Sequence, residues 1–276
     1  QFYLKIVGDY AWEQGSQRFG VTDLLDDFIT KNTYSWSVRF LKNIQILVAT
    51  RAYKIIVPSQ YLKKIVTSWG VPSEKIEVIY NSFDVPTTTL NKAEAKTRLD
   101  IVGKTIISVG RLVPWKGFDT LIEATVEIKK SIPDVRLYII GDGPDKKRLA
   151  TLVDLLSLND NVFFTGQLSK NELMVYLKSA DTFVLNTSYE GFSHQLLEVL
   201  ALEVPIVTTS VGGNTELIED GINGRLLNYN DQSAIINAVV ELLTNDNLSS
   251  IFTRNGLITA KRFSRERMIE SLEKIL

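Results

Sequence analysis

Cysteine is absent from the sequence, and histidine occurs once, as His194. Without cysteine the chain can form no disulfide, no thiolate metal site and no cysteine nucleophile. A single histidine excludes metal centres built from several imidazoles, and any histidine-dependent catalysis must use His194. The sequence also lacks the apolar run of roughly 18 to 20 residues that a membrane-spanning helix needs, and no signal peptide is visible.

Charge is nearly balanced in the 276 residues, of which 45% are hydrophobic and 23% charged, with a formal net charge of −1. This composition is typical of a globular protein and excludes disordered, collagen-like and coiled-coil chains. The length suits two domains of ordinary size or one large α/β unit. An apolar run follows Gln1 at once, so we expect the chain to start inside a domain.

Short β-branched runs alternate with amphipathic stretches in the second half of the chain, which predicts a parallel sheet covered by helices. The six predicted strands are residues 105–110, 135–141, 161–164, 182–186, 204–208 and 225–227. Helix-like segments between them include residues 118–132, 145–157, 170–180 and 193–202. Strand–helix steps of this kind build one doubly wound domain.

The first part of the chain is predicted to be the remainder of another α/β domain, with strands at residues 2–7, 54–57 and 76–80. Residues 85–89 are polar and β-branched, which indicates a linker. The last segment has the pattern of an amphipathic helix with Ser264 as its N-cap. The predicted parts are a partial Rossmann-like domain, 1–86, a second Rossmann-like domain, 87–263, and a C-terminal helix, 264–276.

One charge feature distinguishes the first part. Between Phe28 and Ser73 there is no Asp or Glu, and seven lysine or arginine residues are interleaved with aromatic ones such as Trp36 and Trp69. Such a surface favours an anionic partner, for example a membrane face, a phosphorylated acceptor or nucleic acid. The alternative is a solvated helix face whose aromatic residues belong to the core. We predict peripheral membrane contact through residues 28–73 and no nucleic-acid partner.

The densest cluster of candidate residues runs from Tyr189 to Glu198, between a predicted strand and a predicted helix. Gly191 opens a turn at the helix N-terminus, where free backbone N–H groups and the helix dipole suit phosphate or a polyhydroxylated ligand. Glu190 and Glu198 could each bind a sugar, because a carboxylate accepts hydrogen bonds from sugar hydroxyls. The alternative is a solvated Glu190 and a surface Glu198.

A second cluster follows the first predicted strand of this domain. Arg111 and Lys116 share one loop at the carboxyl end of the sheet, where an anionic ligand binds in such folds. Together their cations could neutralise a diphosphate, although a pair of this kind is also common on ordinary surface loops. Gly141 and Gly143 end the next strand, but Lys146 replaces the third glycine of a dinucleotide fingerprint. That turn is weak evidence for a dinucleotide and fair evidence for a tight turn over a ligand.

Two common catalytic or phosphate-binding motifs are excluded by the residues present. Gly191, Ser193 and Gln195 resemble a nucleophile elbow, but the motif requires a glycine where Gln195 stands, and the single histidine is adjacent to that serine. No Walker-type phosphate loop occurs either.

In this order, the motifs resemble those of retaining glycosyltransferases of family 4, the glycosyl transferases group 1. The matching segments are the Glu-x7-Glu motif at 190–198, the loop 110–117 and residues 57–59, 79–84, 141–143, 161–166 and 212–218. The resemblance covers nearly the whole chain. It implies the α/β GT-B fold, in which two Rossmann-like domains face each other across a cleft.

The resemblance implies a hexosyltransferase-type enzyme that moves a sugar from a nucleotide-diphosphate sugar to a glycan, lipid-linked or other small acceptor. Retained configuration and no cofactor are implied. No metal is expected, since the Asp-x-Asp metal clamp of another glycosyltransferase class is absent. The implied location is the cytoplasm or the inner face of the membrane. Two alternatives stay open: a GT-B epimerase acting on the nucleotide sugar, and a truncated module that binds the donor without turnover.

The resemblance also implies roles for individual residues. Glu190 would bind hydroxyls of the donor sugar, and Glu198 those of the ribose. Arg111 and Lys116 would hold the diphosphate and stabilise it as it leaves. The remaining implied donor contacts are Gly110, Gly141 and Gly143, the backbone of Gly191, Phe192 and Ser193, and a loop at Gln167 and Leu168 that meets the nucleobase.

One position departs from the family pattern. Members commonly carry a histidine at the end of the strand equivalent to residues 2–7, and here that position falls at Gly8 and Asp9. Asp9 is therefore predicted to contact the acceptor or the reacting sugar, the alternative being a turn or cap residue. The family pattern further implies that the first domain lacks its beginning and that residues 264–276 pack back toward it.

Overall fold

The computed structural model describes residues 2–83 and 88–275, which form two parallel sheets. The first sheet has the order β1 (Tyr3–Lys5), β2 (Lys54–Val57) and β3 (Ile76–Val78). The strands of the second sheet are β4 (Thr105–Val109), β5 (Arg136–Ile140), β6 (Val162–Gly166), β7 (Thr182–Leu185), β8 (Ile206–Thr209) and β9 (Arg225–Leu227). Their order across the sheet, β6-β5-β4-β7-β8-β9, is that of a doubly wound fold.

Helices connect the strands. The helices before the linker are α1 (Tyr10–Arg18), α2 (Leu25–Thr30), α3 (Trp36–Arg51) and α4 (Gln60–Ser68). Those after it are α5 (Lys92–Arg98), α6 (Phe118–Ser131), α7 (Lys146–Leu155), α8 (Lys170–Ser179), α9 (His194–Ala201), α10 (Gln232–Thr244), α11 (Asp246–Ala260) and α12 (Arg265–Glu273). Most of the predicted linker 85–89, with the predicted boundary after residue 86, lies outside the described residues.

The predicted α/β fold class is confirmed, and every predicted strand is present, with ends that differ by at most two residues. β8 begins at Ile206 because Pro205 has no N–H to give to a neighbouring strand. β6 continues to Gly166, whose carbonyl accepts a hydrogen bond from the backbone N–H of Gly141 at 2.9 Å. The ends of strands therefore depend on pairing that local composition does not reveal.

The six-stranded sheet is buried on both faces. Ile106 of β4 packs in the core beneath α6 and α10, while the next residue, Ile107, packs in the core beneath α8 and α9. Side chains alternate between the faces of a strand, so a sheet covered on both sides needs mainly apolar residues on both faces of each strand. This requirement explains the continuous β-branched runs in the sequence.

The two parts of the chain meet through aromatic rings. The ring of Trp12 in α1 lies 5.7 Å from that of Trp115 and 5.1 Å from that of Tyr189, both in loops of the second part. Glu216 accepts hydrogen bonds from the backbone N–H groups of Gln60 and Tyr61 at 3.0 and 2.9 Å. The first part thus contacts the loops at the carboxyl edge of the larger sheet directly.

The C-terminal segment returns to the first part of the chain. The Tyr3 hydroxyl lies 3.4 Å from the backbone oxygen of Ile275, and the Ser82 hydroxyl lies 3.4 Å from the sulfur of Met268 in α12. From these contacts we propose the division predicted from the sequence, into residues 1–86, 87–263 and 264–276, with the last segment packing back toward the first. In the described part of the chain, no helix combines the length and the apolar character required to cross a bilayer.

Candidate functional site

The candidate site lies between β4 and β7, where the strand order of the larger sheet reverses. In doubly wound folds the crevice at this point binds ligands. The loop after β4 carries Arg111 and Lys116, and the loop after β7 carries Glu190. Asn186 of the second loop donates from Nδ2 to the carbonyl of Gly117 at 2.9 Å, so the two loops are fixed against each other.

Lys116 and Glu190 form an ion pair across this crevice, through Nζ and Oε1. Their side chains are only 14% and 16% exposed, and such a pair is weakly screened by water. Arg111, on the same loop as Lys116, is exposed. A ligand with both a phosphate and sugar hydroxyls can satisfy the lysine and the glutamate together, since one is a donor and the other an acceptor.

A cavity of about 520 Å³ opens beside Arg111. Its lining includes six residues predicted from the sequence, namely Gly110, Arg111, Gly141, Gly143, Gln167 and Leu168. Gln195 of α9 also lines it and was not predicted. The loops after β4, β5 and β6 therefore converge on one space, whose size is ordinary for a small-molecule site.

Gly141 and Gly143 allow the loops after β4 and β5 to approach each other. A Cβ on Gly141 would stand 2.0 Å from the carbonyl oxygen of Gly110, and one on Gly143 would stand 2.3 Å from that of Leu112. Gly141 also has a φ of +134°, which disfavours any residue with a side chain. These glycines shape the cavity wall by permitting close backbone contact.

Gly141→Ala is expected to destabilise the fold by about 2–5 kcal/mol, because a backbone clash adds to the strain of a positive φ. Gly70→Ala is the matched control, since Gly70 also has a positive φ (+88°) but has no atom within 4 Å of the added Cβ. Thermal unfolding of both variants separates the clash from the strain. Equal losses in the two variants would contradict the close approach at Gly141.

Residues 191–193 form the buried start of α9. Ser193 is 3% exposed and caps the helix by accepting a hydrogen bond from a backbone N–H at 3.3 Å. The carbonyl of Gly191 accepts a hydrogen bond from the Ser59 hydroxyl at 2.6 Å, and Phe192 is 5% exposed among other aromatic rings. The helix N-terminus is therefore held by contacts from both parts of the chain.

The predicted residue Glu198 lies on α9, three residues after Gln195, and is half-buried. Residues three apart lie on the same helix face, so Glu198 shares the side of α9 that carries the cavity-lining Gln195. His194 is exposed, and its Nδ1 lies 3.1 Å from the carbonyl oxygen of Ser82. The single histidine of the chain therefore contacts the segment that leads to the linker.

Asp9 is a helix cap. Its carboxylate accepts a hydrogen bond from the backbone N–H of Trp12 at 2.9 Å at the start of α1, and the residue is 1% exposed. Burial raises the pKa of Asp9, while the hydrogen bond from Trp12 opposes that rise. The capping alternative accounts for these contacts. The predicted contact of Asp9 with acceptor or sugar stays a prediction, and a buried cap is poorly placed to make it.

Glu13, which no sequence pattern singled out, lies one turn after Asp9 and is half-buried. Burial raises the pKa of Glu13, and so does the negative charge of Asp9, whereas the positive charges of Arg111 and Lys116 lower it. A carboxylate of the first part of the chain thus lies within electrostatic reach of the cations of the second. Its position one helical turn after the Asp9 cap was the available signal.

Within residues 2–83 and 88–275, no three histidine, aspartate or glutamate side chains gather in a way that could hold a metal ion. The positive charge at the crevice comes from Arg111 and Lys116. The expectation of a metal-independent site stays a prediction.

A doubly wound sheet with a crevice at its switch point, facing a second α/β unit, is the architecture of GT-B glycosyltransferases. The chain belongs to the glycosyl transferases group 1, because the profile of that family matches residues 91–258, more than half of its length. The matched region contains both the Arg111–Lys116 loop and the Glu190–Glu198 motif. The family named from the motifs is thereby confirmed.

Curated relatives carry similar names. The chain is 28% identical over 247 residues to an uncharacterized glycosyltransferase of Methanocaldococcus jannaschii, MJ1069, covering 88% of this chain and 60% of the relative. It is 31% identical over 217 residues to a putative colanic acid biosynthesis glycosyltransferase, WcaL, of Salmonella typhimurium, covering 76% of this chain and 52% of the relative. The chain thus spans little more than half the length of these relatives.

Solved structures share the fold. Sucrose-phosphate synthase of Thermosynechococcus elongatus aligns with a TM-score of 0.83 and 21% identity, covering 100% of this chain and 67% of that one. Anabaena HepE, solved in complex with UDP and glucose, aligns with a TM-score of 0.79 and 22% identity, covering 92% of this chain and 68% of that one. At these identities the likeness shows the fold alone.

Proposed function

We propose that the protein transfers a hexose from a nucleotide-diphosphate sugar to a glycan or lipid-linked acceptor, with retained configuration and without a metal ion. The observation that carries this proposal is the Lys116–Glu190 ion pair, with Arg111 on the same loop as Lys116 and in the lining of the cavity. Cation, carboxylate and cavity correspond to the diphosphate, the sugar and the nucleoside of such a donor. Family membership supports the same activity.

Each part of the donor has a matching group. The cavity, with Gln167 and Leu168 in its lining, would take the nucleobase, and Glu198 would accept hydrogen bonds from the ribose hydroxyls. Arg111 and Lys116 would hold the diphosphate. Glu190 would accept hydrogen bonds from the donor sugar. The backbone N–H groups at the start of α9 would add a favourable dipole.

The chemistry follows from this placement. The bond between the anomeric carbon and the diphosphate oxygen breaks, and its electron pair stays on the diphosphate. The acceptor oxygen bonds to the anomeric carbon from the same face, and its proton passes to the departing diphosphate. Arg111 and Lys116 lower the barrier because their charge is already in position when negative charge develops. No protein nucleophile is needed for this route.

The acceptor and the location belong to the same proposal. A Campylobacter jejuni relative, 28% identical over 216 residues, is named as an N-acetylgalactosaminyltransferase acting on a sugar-diphospho-undecaprenol. A lipid-linked acceptor would place this protein at the cytoplasmic face of a membrane. The exposed stacked rings of Trp36 and Phe40 on α3, beside Arg39, support peripheral contact through residues 28–73. Co-sedimentation with vesicles that contain phosphatidylglycerol tests that contact.

One experiment separates the proposal from its two alternatives. The protein is incubated with radiolabelled UDP-, GDP- and ADP-sugars, with and without lipid and glycan acceptors. Transfer of label to an acceptor, with retained configuration, supports the proposal. An altered sugar without acceptor would indicate an epimerase, and nucleotide binding without any product would indicate a donor-binding module.

Glu198→Ala is expected to weaken donor binding about 10- to 100-fold, because a carboxylate accepting from two hydroxyls contributes about 1.5–3 kcal/mol. Calorimetric titration with the nucleoside diphosphate measures the change. Glu203→Ala, just after the same helix on an exposed residue, is the control and should bind normally. Equal affinity in Glu198→Ala and wild type would remove the ribose contact from the proposal.

A further inference from the structure

Glu13 lies at the crevice with no role in the donor contacts described above. It comes from α1 in the first part of the chain, whereas Arg111, Lys116 and Glu190 come from loops of the second part. The charges of all three residues influence the pKa of Glu13. Glu13 is therefore a carboxylate of the first part of the chain that lies within electrostatic range of the proposed diphosphate and donor-sugar contacts.

The end of β1 leaves room for this carboxylate. A Cβ on Gly8 would stand 2.7 Å from Oε1 of Glu13 and 3.1 Å from the hydroxyl oxygen of Tyr189. Any larger residue at position 8 would displace the glutamate. The absent side chain of Gly8 thus creates a small polar space shared by Glu13 and Tyr189.

Tyr189 supplies an independent observation at the same place. The residue is 7% exposed, and its hydroxyl has no hydrogen-bond partner among the described residues. A buried hydroxyl without a partner is costly and uncommon. The centre of its ring lies 5.1 Å from that of Trp12 and 6.5 Å from that of Tyr61, and these contacts fix the ring. The flexible side chain of Glu13 is therefore the group that can move to form a hydrogen bond with the Tyr189 hydroxyl.

We propose that Glu13 is the acceptor-facing carboxylate of this enzyme: it accepts a hydrogen bond from an acceptor hydroxyl next to the attacking one and is itself oriented by the hydroxyl of Tyr189. This role rests on the proposed glycosyl transfer. Glu13 directs the acceptor oxygen at the anomeric carbon, while the proton still leaves with the diphosphate. Tyr189 is a positioning residue, and its neighbour Glu190 binds the donor sugar, so one loop helps to position both substrates.

The location of Glu13 is unfavourable for stability. Its folded-state pKa is raised, mainly by burial, so folding disfavours the ionised form and this cost grows as the pH rises through the unfolded pKa. Removing the charge should therefore not lower the unfolding temperature at neutral pH. A carboxylate kept for structure alone would behave in the opposite way.

The test compares Glu13→Gln, Gly8→Ala and Tyr189→Phe with wild type, using whichever of UDP-, GDP- and ADP-glucose the wild type turns over fastest. Release of the nucleoside diphosphate is measured with water and with n-octyl β-D-glucoside as acceptors. Glu13→Gln and Gly8→Ala should lower kcat with the glucoside about 10- to 100-fold, and Tyr189→Phe should lower it less. Affinity for the nucleoside diphosphate and the unfolding temperature of Glu13→Gln should stay at wild-type values.

Glu74→Gln, an exposed glutamate of the same part of the chain, is the matched control and should leave kcat unchanged. The inference is overturned if Glu13→Gln keeps the wild-type kcat, or if it loses nucleotide affinity in step with turnover. Wild-type protein that releases no nucleoside diphosphate from any of the donors would overturn the proposed function and this inference together. The two failures are thus distinguishable.

Discussion

Lys116→Met is expected to lower kcat about 100- to 1,000-fold, the size of loss that follows removal of one preorganised group that stabilises developing negative charge. Methionine keeps the length and apolar stem of lysine but has no charge. The measurement is release of nucleoside diphosphate at saturating donor. Lys130→Met is the matched control, because Lys130 is an exposed lysine that pairs with Glu127 on α6, and it should keep wild-type turnover.

The ion pair complicates this variant in a way that can be measured. Without Lys116, the mostly buried carboxylate of Glu190 loses its partner, which costs about 1–3 kcal/mol of stability. The double variant Lys116→Met/Glu190→Gln should recover that stability without recovering turnover. Recovery of turnover in the double variant would mean that Lys116 serves only to neutralise Glu190, and leaving-group stabilisation would then be wrong.

Most of the architecture could be predicted because the sheet imposes a strong local pattern. A sheet buried on both faces needs runs such as the one around Ile106 and Ile107, and such runs separated by amphipathic helices define the doubly wound class. The helices of the first part, α1 to α4, were not predicted. The difficulty was greatest for α1 and α2. Their stretch contains Gly15 and Gly20 and few regularly spaced apolar residues, and tertiary contacts stabilise them.

The site was predictable to the extent that its residues follow strand ends. Arg111 and Glu190 occupy loops after β4 and β7, and the fold brings such loops to one crevice. The pairing of Lys116 with Glu190 could not be predicted, since the two residues are far apart in sequence. Asp9 and Glu13 could not be told apart from the sequence either. Only the observed start of α1 shows that Asp9 is the buried cap and that Glu13 lies inside the helix.

Trp12→Ala is expected to destabilise the protein by about 3–5 kcal/mol, the usual cost of emptying a buried tryptophan site. Trp12 is 2% exposed, and its indole N–H donates to the carbonyl of Asp23 at 2.9 Å. Its ring touches Trp115 and Tyr189, which directly precede Lys116 and Glu190 in the sequence. The variant should therefore also lower donor affinity and turnover, because both loops of the site lose a common support.

Thermal unfolding and nucleotide titration of the same samples test the two effects together. Trp36→Ala is the matched control: Trp36 is 76% exposed on α3, so its removal should change stability by less than about 0.5 kcal/mol and leave nucleotide binding intact. Loss of stability in Trp12→Ala with unchanged donor affinity would show that the crevice holds its shape without the first part of the chain. Loss of both would show that the aromatic contact between the two parts holds Lys116 opposite Glu190.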